Sequence, residues 1–227
     1  MKKPILLSWS GGKDSSLALW QIVRNRKYDA QALLTTVTEG FNRVSMHGVR
    51  RSLLHAQASS LGIQLEEVRI PKRASNAIYE ERMKEVLTKY KERGVKQVAF
   101  GDIFLRDIRA YREERLAGIG MGGVFPLWGR DTRGLANEFI RAGFRAVICC
   151  VDPRKLSGEF CGKNFDAAFL QSIPTTVDPC GENGEFHTFV FAGPIFRRAI
   201  PVTKGQIVLR DGFYFADLVP GTQNKNV

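Results

Sequence analysis

The sequence predicts an α/β fold, a doubly wound parallel sheet of the Rossmann-like kind with a smaller α+β part towards the C-terminus. Three observations predict it. Short apolar runs alternate with helical stretches through the first half, and a glycine pair closes the first run immediately before the first helix. After Pro174 the pattern changes to short strands joined by tight turns.

The elements follow in order. Ile5-Leu6-Leu7-Ser8-Trp9 reads as a buried parallel strand that ends at Gly11-Gly12. Leu17, Leu19, Trp20, Ile22 and Val23 have roughly helical spacing and predict a helix over 14–26. The β-branched run 30–37 is a second strand, 49–61 a helix, and 63–70 a third strand stopped by Pro71. A long charged helix over 77–93 ends at Gly94, and 95–101 is the fourth strand. Gly118, Gly120, Gly122 and Gly123 then read as a flexible joint. Residues 124–128, a helix over 132–142 and a strand over 146–151 continue the α/β pattern. The runs 187–191, 206–210 and 213–218 read as antiparallel strands, the last two joined by the hairpin turn Asp211-Gly212, and 221–227 reads as frayed. No internal repeat is visible.

With 227 residues, 44% apolar and 25% charged, the chain can bury a core and has the composition of a soluble globular protein. No apolar run reaches the ~18 residues a bilayer crossing needs. Lys2 and Lys3 precede an apolar stretch, but that stretch ends soon after Leu7, so a signal peptide is rejected and the expected address is the cytoplasm. Lys plus Arg exceed Asp plus Glu by 34 − 23 = 11, a field that suits nucleotides, RNA or an acidic protein, or simply keeps the surface soluble. The basic residues are spread along the chain, so charge alone selects none of these. Cys149, Cys150, Cys161 and Cys180 form no C-x-x-C pair and read as reduced thiols; zinc spacing is absent.

The sharpest motif is Ser10-Gly11-Gly12-Lys13-Asp14-Ser15, between the first strand and the first helix. Glycines there allow a tight turn and a close approach to a ligand, and the helix-start amides can take anionic oxygens. Lys13 can neutralise phosphate, Ser10 and Ser15 can donate hydrogen bonds, and Asp14 fits beside phosphate if it holds Mg²⁺. The hexapeptide satisfies neither G-x-x-x-x-G-K-[ST] nor G-x-G-x-x-G. The bland alternative is a glycine turn with a capping serine.

Ser10 to Ser15 resembles the PP-loop of the ATP pyrophosphatases, or adenine nucleotide alpha hydrolases, the group that includes asparagine, argininosuccinate and GMP synthetases and tRNA thiolation enzymes. Four further segments resemble the diphthine–ammonia ligase family and its short prokaryotic relatives over nearly the whole chain. They are Ser45-Met46-His47-Gly48, Gly101-Asp102-Ile103, Leu127-Trp128-Gly129-Arg130, and Cys180-Gly181-Glu182-Asn183-Gly184-Glu185-Phe186-His187-Thr188 leading to Gly193-Pro194-Ile195-Phe196. The G-E-x-G-E-[FY]-x-T pattern in the last is the most specific. This chain departs from the eukaryotic ligases at His187, where they more often carry an acid, and at Arg106-Asp107-Ile108-Arg109.

The resemblance implies ATP and Mg²⁺ as cofactors, cleavage of ATP to AMP and pyrophosphate, and adenylation of a carboxylate or amide oxygen that an amine then attacks. It implies a division into an ATP-binding part, 1–122, and a substrate-binding part, 123–227. ATP contacts would fall on Ser10 to Ser15, Thr35, Met46, His47, Gly101 and Asp102, with Asp14 on the metal. Substrate contacts would fall on Trp128, Arg130, Gly181, Glu182, Asn183, Gly184, Glu185, His187 and Thr188. Catalysis would rest on Lys13, Asp14, Glu182 and Glu185.

Read from the residues alone, most of these have a second explanation. Glu182 and Glu185, three apart, could face one pocket and bind Mg²⁺, a substrate ammonium or an incoming amine, or could be two solvated loop acids. Asp102 ends a strand as ligand or base, or caps the next helix. Trp128 and Arg130 could stack on a base or grip a phosphate, or be a core Trp and a surface Arg. Thr35 and Thr36 could bond ribose or the adenine edge, or be ordinary strand residues, and His47 alone reads better as structural. Cys180 could be a nucleophile, with a structural role the stronger reading.

The acceptor is open among protein, small molecule and RNA. Because the PP-loop starts close to Met1, no glutaminase-like part is expected ahead of it, and ammonia would come from solution or a separate subunit. A homo-oligomer is left open and no membrane partner is expected. The rival functions are an RNA-modifying sulfurtransferase of the tRNA-thiolation type, which would want paired cysteines, and an ATP-binding module without turnover.

Overall fold

A computed structural model of the protein describes residues 2–40 and 48–221. Met46 and His47 therefore lie outside the described residues, as does the tail beyond Gly221.

Five strands, β1 (Lys3–Ser8), β2 (Tyr28–Thr38), β3 (Gln64–Ile70), β4 (Gln97–Ala99) and β5 (Gly122–Val124), form an all-parallel sheet in the order β3-β2-β1-β4-β5. Helices α1 (Lys13–Asn25), α2 (Arg51–Leu61), α3 (Asn76–Glu92) and α4 (Arg106–Ala117) connect them. Successive residues of β1 are buried on opposite faces, as a central parallel strand requires. Ile5 and Leu7 join the core that contains α1 and α2, while Leu6 joins Leu87, Tyr90 and Leu116 of α3 and α4.

The glycine-rich stretch expected to be a joint carries β5, which pairs in register with β4 at the sheet edge. Three residues are too few for an apolar pattern to register. Helix α4 had no predicted span of its own, because its sequence RDIRAYREERLA is mostly charged and only Leu116 is buried.

The second sheet is four-stranded, in the order β7-β6-β9-β8, with antiparallel pairs throughout: β6 (Arg145–Val151), β7 (Phe186–Ala192), β8 (Val202–Arg210) and β9 (Phe213–Pro220). The strand expected over 146–151 is present, but it lies between β7 and β9 instead of continuing the parallel sheet. An apolar run such as Ala146 to Val151 buries both faces in either setting, so periodicity cannot name its partner. The Asp211-Gly212 hairpin joins β8 and β9 as expected. Helices α5 (Thr132–Arg141) and α6 (Ala167–Ser172) pack beside this sheet, Phe139 and Phe169 lying in the same apolar cluster as Phe189. That cluster is continuous with the face of α1 and α2, so the second sheet sits against those helices.

From β1 the chain moves outward to β2 and β3, then returns across the sheet to β4 and β5. The order therefore reverses between β1 and β4, and in open α/β sheets ligands bind beyond the carboxyl ends of the strands at such a point.

Candidate active site

At the carboxyl end of β1 the chain turns through Gly11, whose φ is +77°, into α1 with Gly12 at its N-cap. A β-carbon on Gly11 would lie 2.6 Å from Leu54 Cδ2 and 2.7 Å from Gln57 Oε1, so glycine is required on both conformational and steric grounds. Gln57, fully buried on α2, braces the loop. It receives Trp9 Nε1–H at 2.9 Å and donates to the carbonyls of Gly11 at 2.9 Å and Val190 at 2.6 Å. From β7, the Val190 amide donates to Gly11 O at 2.9 Å, and Thr188 Oγ1 accepts from the Lys13 amide at 3.0 Å. Ser10 Oγ accepts from the Gly12 amide at 3.2 Å and stands 3.3 Å from Ser15 Oγ, which donates to Gly12 O at 3.0 Å.

Lys13 is buried, and its ammonium donates to both carboxylate oxygens of Asp14 at 2.7 Å. The rings of Phe165 and Phe186 lie 5.9 and 5.8 Å from Nζ. Burial works to lower the Lys13 pKa, but Asp14 together with Cys180 and Glu182 more than offsets it and the pKa is raised, so Lys13 is a cation. Burial pushes the Asp14 carboxyl upward against the pull of Lys13.

Gly101, beyond β4, faces the first turn of α1. A β-carbon there would meet the Asp14 carbonyl carbon at 2.8 Å and its oxygen at 2.9 Å. Asp102 is not the cap of α4, whose N-cap is Leu105; it pairs with Arg112 at 2.9 Å, and the Arg112 guanidinium lies 4.5 Å from the Phe100 ring centre.

Around these strand ends opens a cleft of about 970 Å³. It runs from Ser8, Ser10 and Thr35 into the gap between α3 and α4, past Met83, Phe100 and Arg112. Thr35 is buried in its wall. The size falls within the range of ligand pockets, and the wall mixes apolar surface with a few polar groups.

The glycine-rich segment 178–185 reaches the same place from the other sheet. Glu182 Oε1 accepts from the amides of Ile103 at 2.7 Å and Phe104 at 3.3 Å. Burial raises the Glu182 pKa; those amides oppose the rise and the Asp14 charge adds to it. Glu185 is buried: Oε1 accepts from the Asp178 amide and from Asn183 Nδ2, each at 3.1 Å, while Oε2 has no hydrogen-bond partner among the described residues. Gly181 and Gly184 supply left-handed turns at φ +67° and +81°. His187 lies on β7 beside Cys150 of β6; burial and the Lys13 charge lower its pKa to about 4.

Trp128 and Arg130 stand further out. Trp128 packs edge-on to Phe125 at 6.1 Å under the Arg109 guanidinium, and Arg130 pairs with Glu138 on the surface. Cys180 is buried, donates to Thr132 O at 3.2 Å, and burial pushes its thiol to about 12. That is a structural thiol. All four cysteines are free and buried.

The structure thus brings Lys13, Asp14, Gly101, Glu182, His187 and Thr188 together. Gln57, Arg112 and Asp178 are site residues that sequence reasoning missed. For Asp178 the signal was present: Asp-Pro-Cys-Gly is the sequence of a turn with an acid first, proline second and glycine fourth.

Comparison with known proteins places residues 1–121 on the family model of the diphthamide synthase N-terminal domain and 131–217 on that of its C-terminal domain. The chain is 27% identical to a diphthine–ammonia ligase of Schizosaccharomyces pombe over 56% of its own length and 21% of that protein's. To the Rattus norvegicus enzyme of the same name it is 27% identical over 79% of this chain and 69% of the other. To the Mus musculus enzyme it is 25% identical over 91% and 85%. The match thus spans about a fifth of the yeast protein and most of the two rodent ones.

Proposed function

Because the chain belongs to the diphthamide synthase family, we propose that it is an ATP-dependent ligase that cleaves ATP to AMP and pyrophosphate while activating a second substrate for amidation. The observation that carries this reading is the β1–α1 loop: a buried lysine cation beside a carboxylate, at the start of a helix and at the switch point of a parallel sheet.

In this reading the first-turn amides of α1 and Lys13 take the oxygens of the pyrophosphate end of ATP, with the nucleoside in the cleft beside Thr35 and Phe100. A carboxylate or amide oxygen of the acceptor attacks the α-phosphorus. The bond to the bridging oxygen breaks, pyrophosphate carries away the electron pair, and an adenylate forms. An amine, ammonia by analogy with the relatives' names, then displaces AMP. The relatives' names also make diphthine the first acceptor to test.

Mg²⁺ suits this site in its donor chemistry, since it is held by one or two carboxylates together with substrate phosphates. Among the described residues no group of three or more His, Cys, Asp or Glu is placed to hold a metal unaided. Asp14 would hold Mg²⁺, which supplies charge neutralisation for the leaving pyrophosphate. Both Asp14 oxygens accept from Lys13 in this structure, so holding Mg²⁺ would require Asp14 to exchange that ion pair for the metal, and Lys13 would then be free for phosphate. ATP would be met by 1–122 and the acceptor by 123–227, a division whose boundary falls within β5 at the edge of the parallel sheet.

Sulfur transfer is disfavoured by the burial of every thiol, with Cys150 pushed to about 12 and Cys161 to about 11. No helix is long and apolar enough to cross a membrane among the described residues.

The test is to incubate the protein with Mg²⁺, α-labelled ATP, ammonium and desalted cell extract, beside Lys13→Ala. Portions of the extract are first treated with ribonuclease or with protease, and the reagent is then removed. AMP that requires Lys13 and disappears after protease alone supports a protein acceptor; disappearance after ribonuclease alone favours the RNA reading. Lys13-dependent ADP would sink the proposal, because the loop would then serve γ-phosphate chemistry. ATP binding without AMP in any extract favours a binding module.

A further inference from the structure

Asp178 lies outside the β1–α1 loop, yet it organises the segment that brings Glu182 to the site. Its Oδ1 accepts from the amide of Cys180 at 2.9 Å and from the amide of Glu182 at 3.1 Å. Its carbonyl accepts from the Gly181 amide at 2.8 Å, closing the turn, and its own amide donates to Glu185 Oε1 at 3.1 Å. One residue therefore fixes the backbone of Glu182 and is itself fixed by Glu185.

The Glu182 carboxylate is in turn held by two amides at the end of β4, from Ile103 and Phe104. A carboxylate that accepts two backbone N–H bonds is specifically oriented, and its aim depends on where its backbone stands. The turn at Asp178 sets that position with an Asx bond that the Pro179 ring, with its fixed φ, helps to preform. Asp178 also bears on the phosphate loop through charge, since it acts to raise the pKa of the Asp14 carboxyl.

We propose that Asp178 is a positioning residue of the active site, which aims the Glu182 carboxylate at the Ile103 and Phe104 amides and so fixes the glycine-rich segment against the end of β4. Its importance for turnover rests on the ligase reading of Glu182; its placement of Glu182 does not.

Amide hydrogen exchange tests the placement without ATP or acceptor. Asp178→Ala and Glu182→Ala are each expected to speed exchange at Ile103 and Phe104 about tenfold, with the Leu7 amide of β1 unchanged. Asp178→Asn keeps an acceptor oxygen and is expected to restore protection to within about threefold. Should Asp178→Ala fail to fold, Asp178→Glu takes its place: it keeps the charge, moves the acceptor out of the turn, and is expected to speed exchange equally. Wild-type protection at Ile103 and Phe104 in the Ala or Glu variant overturns the proposal, as does an Asn variant no better than Ala. In the AMP assay, Asp178→Ala is expected to lower the rate at least tenfold with the ATP KM within about twofold. Faster exchange with an unchanged rate would overturn the positioning role. Absence of AMP from the wild-type protein would instead sink the ligase reading, with the exchange pattern still deciding where Asp178 places Glu182.

Discussion

Between β1 and α1 the chain turns on Gly11 and Gly12 and sets Lys13 against Asp14, its neighbour in sequence. Between residues 178 and 185 it turns on Gly181 and Gly184 and sends Glu182 to amides 79 and 78 residues away. Both segments are glycine-rich and both bring charge to the same strand ends. In the first, the charged groups pair with each other, and an arriving phosphate can compete for Lys13. In the second, the Glu182 carboxylate is engaged by the Ile103 and Phe104 amides, so its charge serves first to join the two sheets. The charged groups of the β1–α1 loop are thus set by adjacent residues, whereas the Glu182 contacts of the opposing loop exist only when both sheets are in place.

The largest expected effect breaks the first loop. Lys13→Ala removes the cation and leaves the Asp14 carboxylate without its partner. AMP formation should fall by roughly 100- to 1,000-fold, the range for deleting one preorganised group that stabilises transition-state charge. If the rate fell less than about tenfold, the charge of this loop would not be the main stabiliser of the leaving group.

The next prediction strikes where β4 supports that loop. Gly101→Ala places a methyl 2.8 Å from backbone of the first turn of α1, where no side chain can move aside. Shifting the helix start should cost about 2–3 kcal/mol in denaturant unfolding and weaken ATP binding together with it. An Ala variant with wild-type stability would mean that α1 and β4 are not in this close contact.

The difference between the loops also explains what the sequence revealed. The parallel strands β1 and β2 were legible because their apolar residues are contiguous, and the tight β1–α1 turn because its glycines, lysine and acid are adjacent. Helix α4 was not, since it is held by Arg109 and Arg112 stacking on Phe125 and Phe100, which leaves no apolar stripe in its sequence. Strand β6 was seen, but not its partners, which come from 186–192 and 213–220. Glu182 and Glu185 were seen as a pair; their separation into an inter-sheet clasp and a buried acid depends on partners that spacing cannot supply. Gln57 carried no signal at all, being one polar residue in an ordinary helix.

A pH dependence distinguishes the buried side of the second region. His187 has a pKa of about 4 in the fold against an ordinary 6.5, so the folded state favours the neutral ring. Below 6.5 the unfolded chain binds the proton more readily, so stability rises with pH across this window. The contribution of His187 is complete above about 6.5 and is lost as pH falls to about 4, an effect of about 3 kcal/mol. Urea titrations of the protein and of His187→Gln should diverge in slope across that range and run parallel above it. Parallel curves throughout would show that the ring charges at no cost.

The smallest effect tests one of the bonds by which β7 meets the β1–α1 loop. Thr188 Oγ1 accepts from the Lys13 amide, and Thr188 is buried. Thr188→Val keeps the shape and removes the acceptor, leaving that amide without its partner at the start of α1. Stability should drop by about 1 kcal/mol, the worth of one neutral hydrogen bond. The more telling readout is kinetic. Released from Thr188, the Lys13 amide can turn towards phosphate, so ATP affinity should hold while AMP formation falls a few-fold through looser alignment. A loss of ATP affinity instead would mean that β7 is needed to shape the phosphate loop itself, and the contrast between a locally specified loop and a dependent one would fail at this bond.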